Sequence, residues 1–217
     1  MTQDRATIMP LGDSALLVRF SDTLDDEANR RAVSFAHALE NDAIEHVLDV
    51  VPSLVSVLVR YDPRKANPTR LAGELSLRLR ANPVVGDNHL HRIDVHFGGE
   101  DGPDLEDVAS KLDLSTQAFV EHHNAASLRV LTTGFAPGFV YCGFHPEHMV
   151  VPRRASVRPL VTAGSILFAA GQTAIAATDI PTGWHVIGRT SFRNFDPARM
   201  PPTSLRVGDL VEFVSAG

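Results

Sequence analysis

The chain has 217 residues, of which 44% are hydrophobic, enough to bury one large core or two smaller ones. Its formal net charge is -6 and it contains no long run of Lys or Arg, so nucleic acid and anionic membranes are not expected as partners. The single cysteine, Cys142, excludes an internal disulfide and fits a reducing, cytoplasmic setting, and residues 1–12 lack the apolar run of a signal peptide.

The N-terminal half alternates the signals of strands and helices. The predicted order is strand, helix, strand, strand, helix and strand, over residues 15–20, 21–40, 47–51, 55–61, 67–79 and 91–97. Asn67 followed by Pro68 is typical of a helix start, because the amide caps the first turn and proline already has a helical backbone angle. This order of elements predicts a ferredoxin-like α+β domain.

The C-terminal half predicts a β-barrel or sandwich. Residues 81–88 concentrate turn-forming residues and are the predicted linker, so domains are expected at residues 1–85 and 86–217. Two short helices are expected, over residues 104–112 and after Ser115. Short β-branched segments then alternate with Gly and Pro turns. The predicted strands are residues 128–133, 166–170, 173–177, 184–187 and 210–214.

The apolar stretch at residues 160–178 is too interrupted to cross a membrane. Gly164, Gly171 and Gln172 divide it, whereas a membrane span needs about 20 predominantly apolar residues. Two buried strands are expected here. The buried polar pair Gln172 and Thr173 must then either bridge the core or face a pocket.

Several common motifs are absent from the sequence. There is no G-x-x-x-x-G-K-[ST] loop and no G-x-G-x-x-G segment, so neither a P-loop nor a Rossmann nucleotide site is predicted. The sequence also lacks H-E-x-x-H and G-x-S-x-G, the motifs of zinc proteases and α/β-hydrolases.

Two groups of residues have both a chemical and a structural interpretation. Cys142, His145 and His148 are spaced like metal ligands, but three ligands interrupted by Pro146 favour an irregular loop, and we predict no metal. Cys142 is a candidate nucleophile, although a lone buried cysteine usually packs as a small apolar residue. His122 or His123 is a candidate general base, or a cation at the end of a helix.

A glycine-rich loop and four arginines are the candidate binding residues. The loop G-F-A-P-G-F at residues 134–139 lets a ligand approach the main chain closely, or simply joins two strands. A carboxylate or phosphate substrate would need a guanidinium. The cations nearest the loop are Arg153, Arg154, Arg158 and Arg189. Trp184, the only tryptophan, is expected to pack in the core.

These motifs together resemble a known family, over nearly the whole chain. It is the allophanate hydrolase subunit 1 family, also called the carboxyltransferase C/D-domain family. It includes the small subunit of bacterial ATP-dependent 5-oxoprolinases and an inhibitor of a sporulation histidine kinase. The motifs are LGDSA at residues 11–15, YDP at 61–63, GGEDGPDLE at 98–106, GFAPGF at 134–139, AGS at 163–165, GQT at 171–173, GW at 183–184 and IGRT at 187–190.

The resemblance implies a small N-terminal α/β domain, a C-terminal cyclophilin-like β-barrel and a second, larger subunit of the same family. It also implies ATP-driven opening of 5-oxoproline to glutamate, with ATP bound through the assembled complex. His123 falls where the family places a histidine and is the candidate catalytic residue. The candidate substrate-binding residues are Gly134, Phe135, Pro137, Gly138, Phe139, Arg153, Arg158, Gln172, Thr173 and Arg189.

Some positions depart from the family pattern and leave the substrate open. Residues 137–145 differ from the usual PGFPYLGGL, and Thr182 replaces a glycine. Ala174 replaces another glycine, and Ala176 and Ala177 replace Tyr and Pro, which would reshape a pocket wall. Three functions therefore remain: a subunit of a 5-oxoprolinase-like hydrolase, a histidine-kinase inhibitor, and a carboxyltransferase-related subunit of a biotin-dependent urea or allophanate system.

Overall fold

A computed structural model describes residues 6–80 and 89–216 of the chain. The chain divides into two compact units, Met1–Asp87 and Asn88–Gly217. The predicted linker, residues 81–88, lies outside the described residues. None of the helices in the described parts of the chain has the length and apolar character needed to cross a membrane.

The first unit is a four-stranded antiparallel sheet with two helices. Its elements are β1 (Thr7–Pro10), β2 (Ala15–Arg19), α1 (Asp26–Asn41), β3 (Val47–Pro52), β4 (Ser56–Tyr61) and α2 (Pro68–Arg78). The strand order is β1-β2-β4-β3. Asn67 caps α2 as predicted, with its side-chain oxygen accepting hydrogen bonds from Thr69 N and Arg70 N at 3.0 and 3.1 Å. Helix α1 begins later than predicted, at the cap Asp25, which accepts from Ala28 N at 2.7 Å.

The ferredoxin-like prediction is confirmed, except for the source of one edge strand. The predicted sixth element, residues 91–97, is a strand, β5 (Leu90–Phe97), but it belongs to the second unit. The edge beside β2 is filled instead by β1, which was not predicted from the sequence. An alternating pattern predicts that a segment is a strand, but it does not specify the partner with which that strand pairs.

The second unit contains a closed barrel of seven strands, which confirms the cyclophilin-like prediction. After β5 come α3 (Leu105–Lys111), α4 (Thr116–His123), β6 (Leu128–Thr133), β7 (Val140–Gly143), β8 (Arg158–Val161), β9 (Ser165–Ala169), β10 (Gln172–Ile175), β11 (Ile180–Thr182), β12 (His185–Arg189) and β13 (Leu210–Ser215). The barrel order is β10-β7-β6-β13-β5-β12-β9, and β8 and β11 form a separate two-stranded sheet. All five strands predicted after residue 124 are present within two residues of their expected ends, whereas the short strands β7, β8 and β11 were not predicted.

Alternation of side chains gives the barrel wall two different apolar faces. On β9, Ile166 and Phe168 join the inner core, which includes residues from all seven strands and from α3 and α4. Leu167 and Ala169, from the same strand, join a second cluster on the outer face. This outer cluster also holds aromatic residues from the loop before β7 and from the position directly before β12. The site described below lies partly on each face.

We expect limited proteolysis with elastase to cut first within residues 81–88. Elastase cleaves after small apolar residues, which both this segment and residues 161–178 contain. Half of the second segment lies in the hydrogen-bonded strands β9 and β10, which should protect it from cleavage. Mass spectrometry of the fragments identifies the first cut. A first cut within residues 161–178, with residues 81–88 resistant, would contradict the predicted two-domain division.

Candidate functional site

Helix α4 carries His123 into the barrel core. The helix begins after Ser115, whose hydroxyl accepts a hydrogen bond from Ala118 N at 3.1 Å. Phe119 and His123 are four residues apart and therefore lie on the same face of the helix. Phe119 is 0% exposed and His123 is 1% exposed. The predicted catalytic histidine thus has almost no surface that a ligand can touch.

One threonine joins two buried histidines. Thr173 Oγ1 lies 2.8 Å from both His123 Nε2 and His145 Nε2, and His123 Nδ1 lies 2.7 Å from Asn124 Oδ1. Because Asn124 Oδ1 only accepts, His123 Nδ1 donates to it, and His123 Nε2 then accepts from the threonine hydroxyl. Thr173 Oγ1 in turn accepts from His145 Nε2. This histidine–threonine network, formed by His123, Thr173 and His145, is complete with two neutral imidazoles.

Burial keeps both imidazoles of the network neutral. It lowers the pKa of His123 to about 4, against an opposing contribution from the hydrogen bond to Asn124. Burial, with a further contribution from the charge of His123, lowers the pKa of His145 to about 3. The rings of Phe97 and Phe213 lie 5.5 and 5.3 Å from the His123 ring. A neutral network of this kind anchors α4 to β10 and fixes the end of the helix against the barrel.

The three spaced sulfur and nitrogen ligands do not converge. Cys142 lies on the inner face of β7, where burial raises the pKa of its thiol to about 12, so the reactive thiolate is disfavoured. His145 is committed to Thr173, while His148 is exposed and its ring lies 5.5 Å from that of His122. No group of three or more His, Cys, Asp and Glu residues in the described part of the chain is arranged to hold a metal ion.

Arg158 belongs to a buried ion-pair cluster with Asp104 and Arg154. Arg158 donates to both carboxylate oxygens of Asp104, at 2.9 and 3.0 Å, and Arg154 Nη1 donates at 2.7 Å. The backbone N–H of Val186 donates to the same carboxylate at 2.7 Å. Burial alone would raise the pKa of Asp104, but these hydrogen bonds and the two positive charges outweigh it and lower the pKa. The cluster joins the segment before α3 to β8 and β12. The guanidinium of Arg158 is already paired with the Asp104 carboxylate.

Arg189 is also paired with an aspartate of the GGEDGPDLE segment. Its Nε donates to Asp101 Oδ1 at 2.9 Å, and its Nη1 donates to Ala163 O at 3.4 Å. The structure therefore places two of the predicted substrate-binding arginines, Arg158 and Arg189, in contacts with carboxylates of this chain. The GGEDGPDLE segment provides these carboxylates, a role that was not predicted from the sequence.

Arg153 has a different environment. It is exposed, and its guanidinium carbon lies 5.7 Å from the centroid of the Trp184 ring. No carboxylate of the described residues is within ion-pair distance of Arg153. The face of an indole favours a cation electrostatically, so Trp184 holds the guanidinium without neutralising it. Of the four candidate arginines, Arg153 is thus the one available to an anionic ligand.

The loop at residues 134–139 has a backbone that requires glycine. Gly138 has a φ of 68°, and a Cβ placed on it would lie 2.5 Å from Phe195 Cβ. Its carbonyl accepts a hydrogen bond from Asn194 Nδ2 at 2.7 Å. Phe135 adopts a φ of 75°, which is unusual for a bulky residue, and its side chain is 69% exposed. The loop therefore buries the side chain of Phe139 and exposes that of Phe135 to solvent.

Four aromatic side chains form a continuous row on the outer face of the barrel. We call Phe135, Phe139, Tyr141 and Trp184 the aromatic row. Successive ring centroids are 5.5, 4.8 and 5.7 Å apart. Arg153 lies at the Trp184 end of the row. Burial raises the pKa of Tyr141, and the nearby charge of Arg153 partly offsets this effect.

Strand β10 directs the side chains of the two predicted residues Gln172 and Thr173 to opposite faces of the barrel wall. Thr173 points inward to the histidine–threonine network, so its neighbour Gln172 points to the outer face. Ala174, which also faces outward, pairs with Tyr141 of the aromatic row. The structure thus brings Gln172, Arg153 and the residue 134–139 loop to one face. It places His123 and Thr173 inside the barrel, on the other side of the same wall.

Two members of the row were not among the predicted site residues. Trp184 is 6% exposed, as expected for a core residue, but its ring also makes a cation–π contact with Arg153. Tyr141 lies in the strand β7, which was not predicted. The run Val140, Tyr141 and Cys142 directly after the loop was a usable signal for a strand. Side chains alternate along a strand, so Tyr141 lies on the face opposite to that of Val140 and Cys142.

We expect the second unit to lose stability in mild acid because of the histidine–threonine network. The unfolded chain takes up protons near the ordinary histidine pKa of 6.5, whereas folded His123 stays neutral to about pH 4. The free energy of unfolding should therefore fall as the pH falls from 6.5 to 4, by up to about 1.4 kcal/mol per pH unit for each histidine. Urea unfolding followed by Trp184 fluorescence measures this slope. His123→Gln should make the slope shallower and the control His122→Gln should not; equal slopes would contradict this assignment.

We expect Arg158→Ala to destabilise the second unit more than Arg153→Ala. Removing Arg158 leaves the Asp104 carboxylate buried with one arginine. The cost should be on the order of 2 kcal/mol, because Arg154 remains and the pair is not fully enclosed. Arg153→Ala removes only a cation–π contact, worth under about 1 kcal/mol. Urea unfolding followed by circular dichroism tests the order, and a larger loss for Arg153→Ala would show that the two roles are reversed.

The comparisons with known proteins agree with the motifs. The family model described as carboxyltransferase domain, subdomain C and D, matches residues 6–205. The chain is 33% identical to a 5-oxoprolinase subunit of Bacillus subtilis (strain 168), with 97% of this chain and 92% of that protein covered.

Some solved structures contain the fold as part of a longer chain. The chain is 33% identical to TTHA0988, with a TM-score of 0.82, and the match covers 94% of this chain but only 40% of that one. The Kluyveromyces lactis urea amidolyase shares the fold at 16% identity and a TM-score of 0.79, over 99% of this chain and 15% of that one. The chain belongs to the family of carboxyltransferase domains, subdomains C and D, and it is a relative of the 5-oxoprolinase subunit of Bacillus subtilis.

Proposed function

We propose that this chain is a subunit of an ATP-dependent 5-oxoprolinase-like hydrolase, in which it binds the cyclic amide on the aromatic row. The observation that carries this proposal is the guanidinium of Arg153, which is held over Trp184 without a carboxylate partner among the described residues. The name of the Bacillus subtilis relative supports the same substrate, 5-oxoproline.

The geometry suits a small planar ligand with one carboxylate. A five-membered lactam can pack its flat face against the partly exposed ring of Tyr141, which lies beside Trp184 at a centroid distance of 5.7 Å. Its carboxylate can then pair with Arg153 through two parallel hydrogen bonds. Arg158 and Arg189 contribute indirectly in this proposal, because their aspartate partners hold the surrounding segments in place.

The reaction adds water across the lactam bond. The C–N bond of the ring breaks, the carbonyl carbon becomes the side-chain carboxylate of glutamate, and the ring nitrogen becomes its amine. Phosphorylation of the carbonyl oxygen by the γ-phosphoryl group of ATP, which releases ADP, is the simplest means of activating so stable an amide. One water then opens the ring, and a second releases phosphate from the resulting acyl phosphate to give the carboxylate. The residues of the aromatic face do not fit a triphosphate, since Arg153 is the single uncommitted cation of the four candidate arginines. We therefore assign ATP to the partner subunit.

His123 has no direct catalytic contact in this proposal. It is 1% exposed inside the barrel, while Arg153 and the aromatic row lie outside. A structural role explains as well as a catalytic role why the family has a histidine at this position, because the histidine–threonine network holds α4 against β10. His123 is thus assigned as a positioning residue.

A second, larger subunit of the same family is the proposed partner. This chain spans only 40% of TTHA0988, so the same fold occurs joined to a much longer segment in one polypeptide. Phe135 is 69% exposed at the end of the aromatic row, and a ring exposed in this way is well suited to be covered by another chain. A stable contact would bury about 1,200 Å² or more of total surface. The substrate would then lie in a composite site between the subunits.

We expect ATP-dependent 5-oxoproline turnover only when the chain is copurified with the product of its neighbouring reading frame. In that complex, Arg153→Ala should raise the KM for 5-oxoproline about tenfold or more with a smaller change in kcat, because the carboxylate contact is present before and during the reaction. Arg193→Ala, at another exposed arginine, is the matched control. Release of glutamate measures the activity.

Two results would contradict the proposal. Robust turnover by the isolated chain would exclude a composite site, and unchanged kinetics of Arg153→Ala would remove the aromatic row from substrate binding. A complex that inhibits the autophosphorylation of a histidine kinase, and has no turnover, would favour the inhibitor function instead.

A further inference from the structure

Gln172 carries an unsatisfied hydrogen-bond donor. The residue is 5% exposed, and its side-chain Nε2 is buried without a hydrogen-bond partner among the described residues. A buried amide donor without an acceptor is unfavourable, and most such groups in folded proteins find a partner. The surroundings of Gln172 therefore indicate an acceptor that the described part of the chain does not supply.

The register of the barrel places this donor beside the aromatic row. Thr173 pairs with Cys142 and Ala174 pairs with Tyr141, so Gln172 lies next to Gly143, on the outward side of the wall. A Cβ added to Gly143 would lie 3.6 Å from Gln172 Cγ, which confirms that the two are neighbours. Residues on one face in this diagonal relation are separated by about 7–8 Å, within the combined reach of a glutamine and a tyrosine side chain.

Glycine at position 143 leaves room for the neighbouring side chains of Leu131 and Gln172. The same added Cβ would lie 3.0 Å from Leu131 Cδ1, a contact that few real side chains make. A side chain at position 143 would therefore press on Leu131 and contact Gln172 Cγ at an ordinary van der Waals distance.

We propose that Gln172 is a specificity-determining residue, whose Nε2 donates a hydrogen bond to the lactam carbonyl oxygen of a ligand lying on the aromatic row. This inference rests on the proposed function. Arg153 recognises the carboxylate at one end of the ligand, and Gln172 recognises the carbonyl at the other. A neutral amide suits this second task, because it binds an uncharged oxygen without adding a second positive charge. Ligands without the carbonyl leave the donor unsatisfied and bind less tightly.

Three probes of matched shape separate the two contacts. L-5-oxoproline has both the carboxylate and the carbonyl, 2-pyrrolidinone has only the carbonyl, and L-proline has only the carboxylate. Gln172→Leu should weaken binding of 5-oxoproline and 2-pyrrolidinone about tenfold and change that of proline less than about twofold. Arg153→Ala should weaken 5-oxoproline and proline and spare 2-pyrrolidinone. Gln117→Leu, at an exposed glutamine on α4, is the control.

The side-chain amide resonances of the full chain provide a direct readout that does not depend on the variants. The sequence has three glutamines, Gln3, Gln117 and Gln172, so the Gln172 pair is assigned from the spectrum of Gln172→Glu. Addition of 5-oxoproline or 2-pyrrolidinone to the wild-type chain should shift this pair, and proline should not.

The outcomes distinguish this inference from the proposed function. Shifts at Tyr141 and Trp184 without a shift of the Gln172 amide, or equal weakening of all three probes by Gln172→Leu, would overturn the role of Gln172 and leave the site standing. Absence of any shift at the aromatic row with 5-oxoproline would overturn the proposed function and this inference together.

Discussion

A closed β-barrel sends successive side chains of every strand to opposite sides of its wall, and the chemistry of the second unit depends on this separation. Thr173 points inward and Gln172, its neighbour, points outward. The inner side has no access to water, so its histidines are neutral and joined by Thr173. The outer side combines exposed and buried aromatic rings with the uncommitted cation of Arg153. One wall thus separates a group that holds the fold together from a group suited to binding.

Desolvation also determines what each arginine does. Asp104 is buried, and a buried carboxylate needs several donors, which Arg154, Arg158 and Val186 N supply. Those arginines are therefore structural, although their residue type alone suggested anion binding. Arg153 differs because its neighbour is a tryptophan ring, which attracts a cation without neutralising it. The charge of Arg153 remains available, and the proposed site follows from that difference in neighbours.

Local sequence signals predicted most elements because the physics of those elements is itself local. Asn67 and Pro68 mark a helix start through contacts within one turn. Five of the strands after residue 124 were identified from β-branched runs between turns. The pairing of β5 with β13 joins residues more than a hundred positions apart, so no local pattern could reveal it. The same limit explains why β1 was missed: its four residues form a strand because β2 lies beside them.

The sequence by itself determined the family, the fold class and the loop at residues 134–139, since motif order, periodicity and glycine placement are properties of the chain alone. It also identified Arg153 and Gln172 as candidates. Only the tertiary structure decided that His123 and Thr173 lie inside the barrel, that Arg158 is bound by Asp104, and that the aromatic row forms. These decisions depend on burial and on partners distant in sequence, and burial sets both the protonation of a histidine and the availability of a guanidinium.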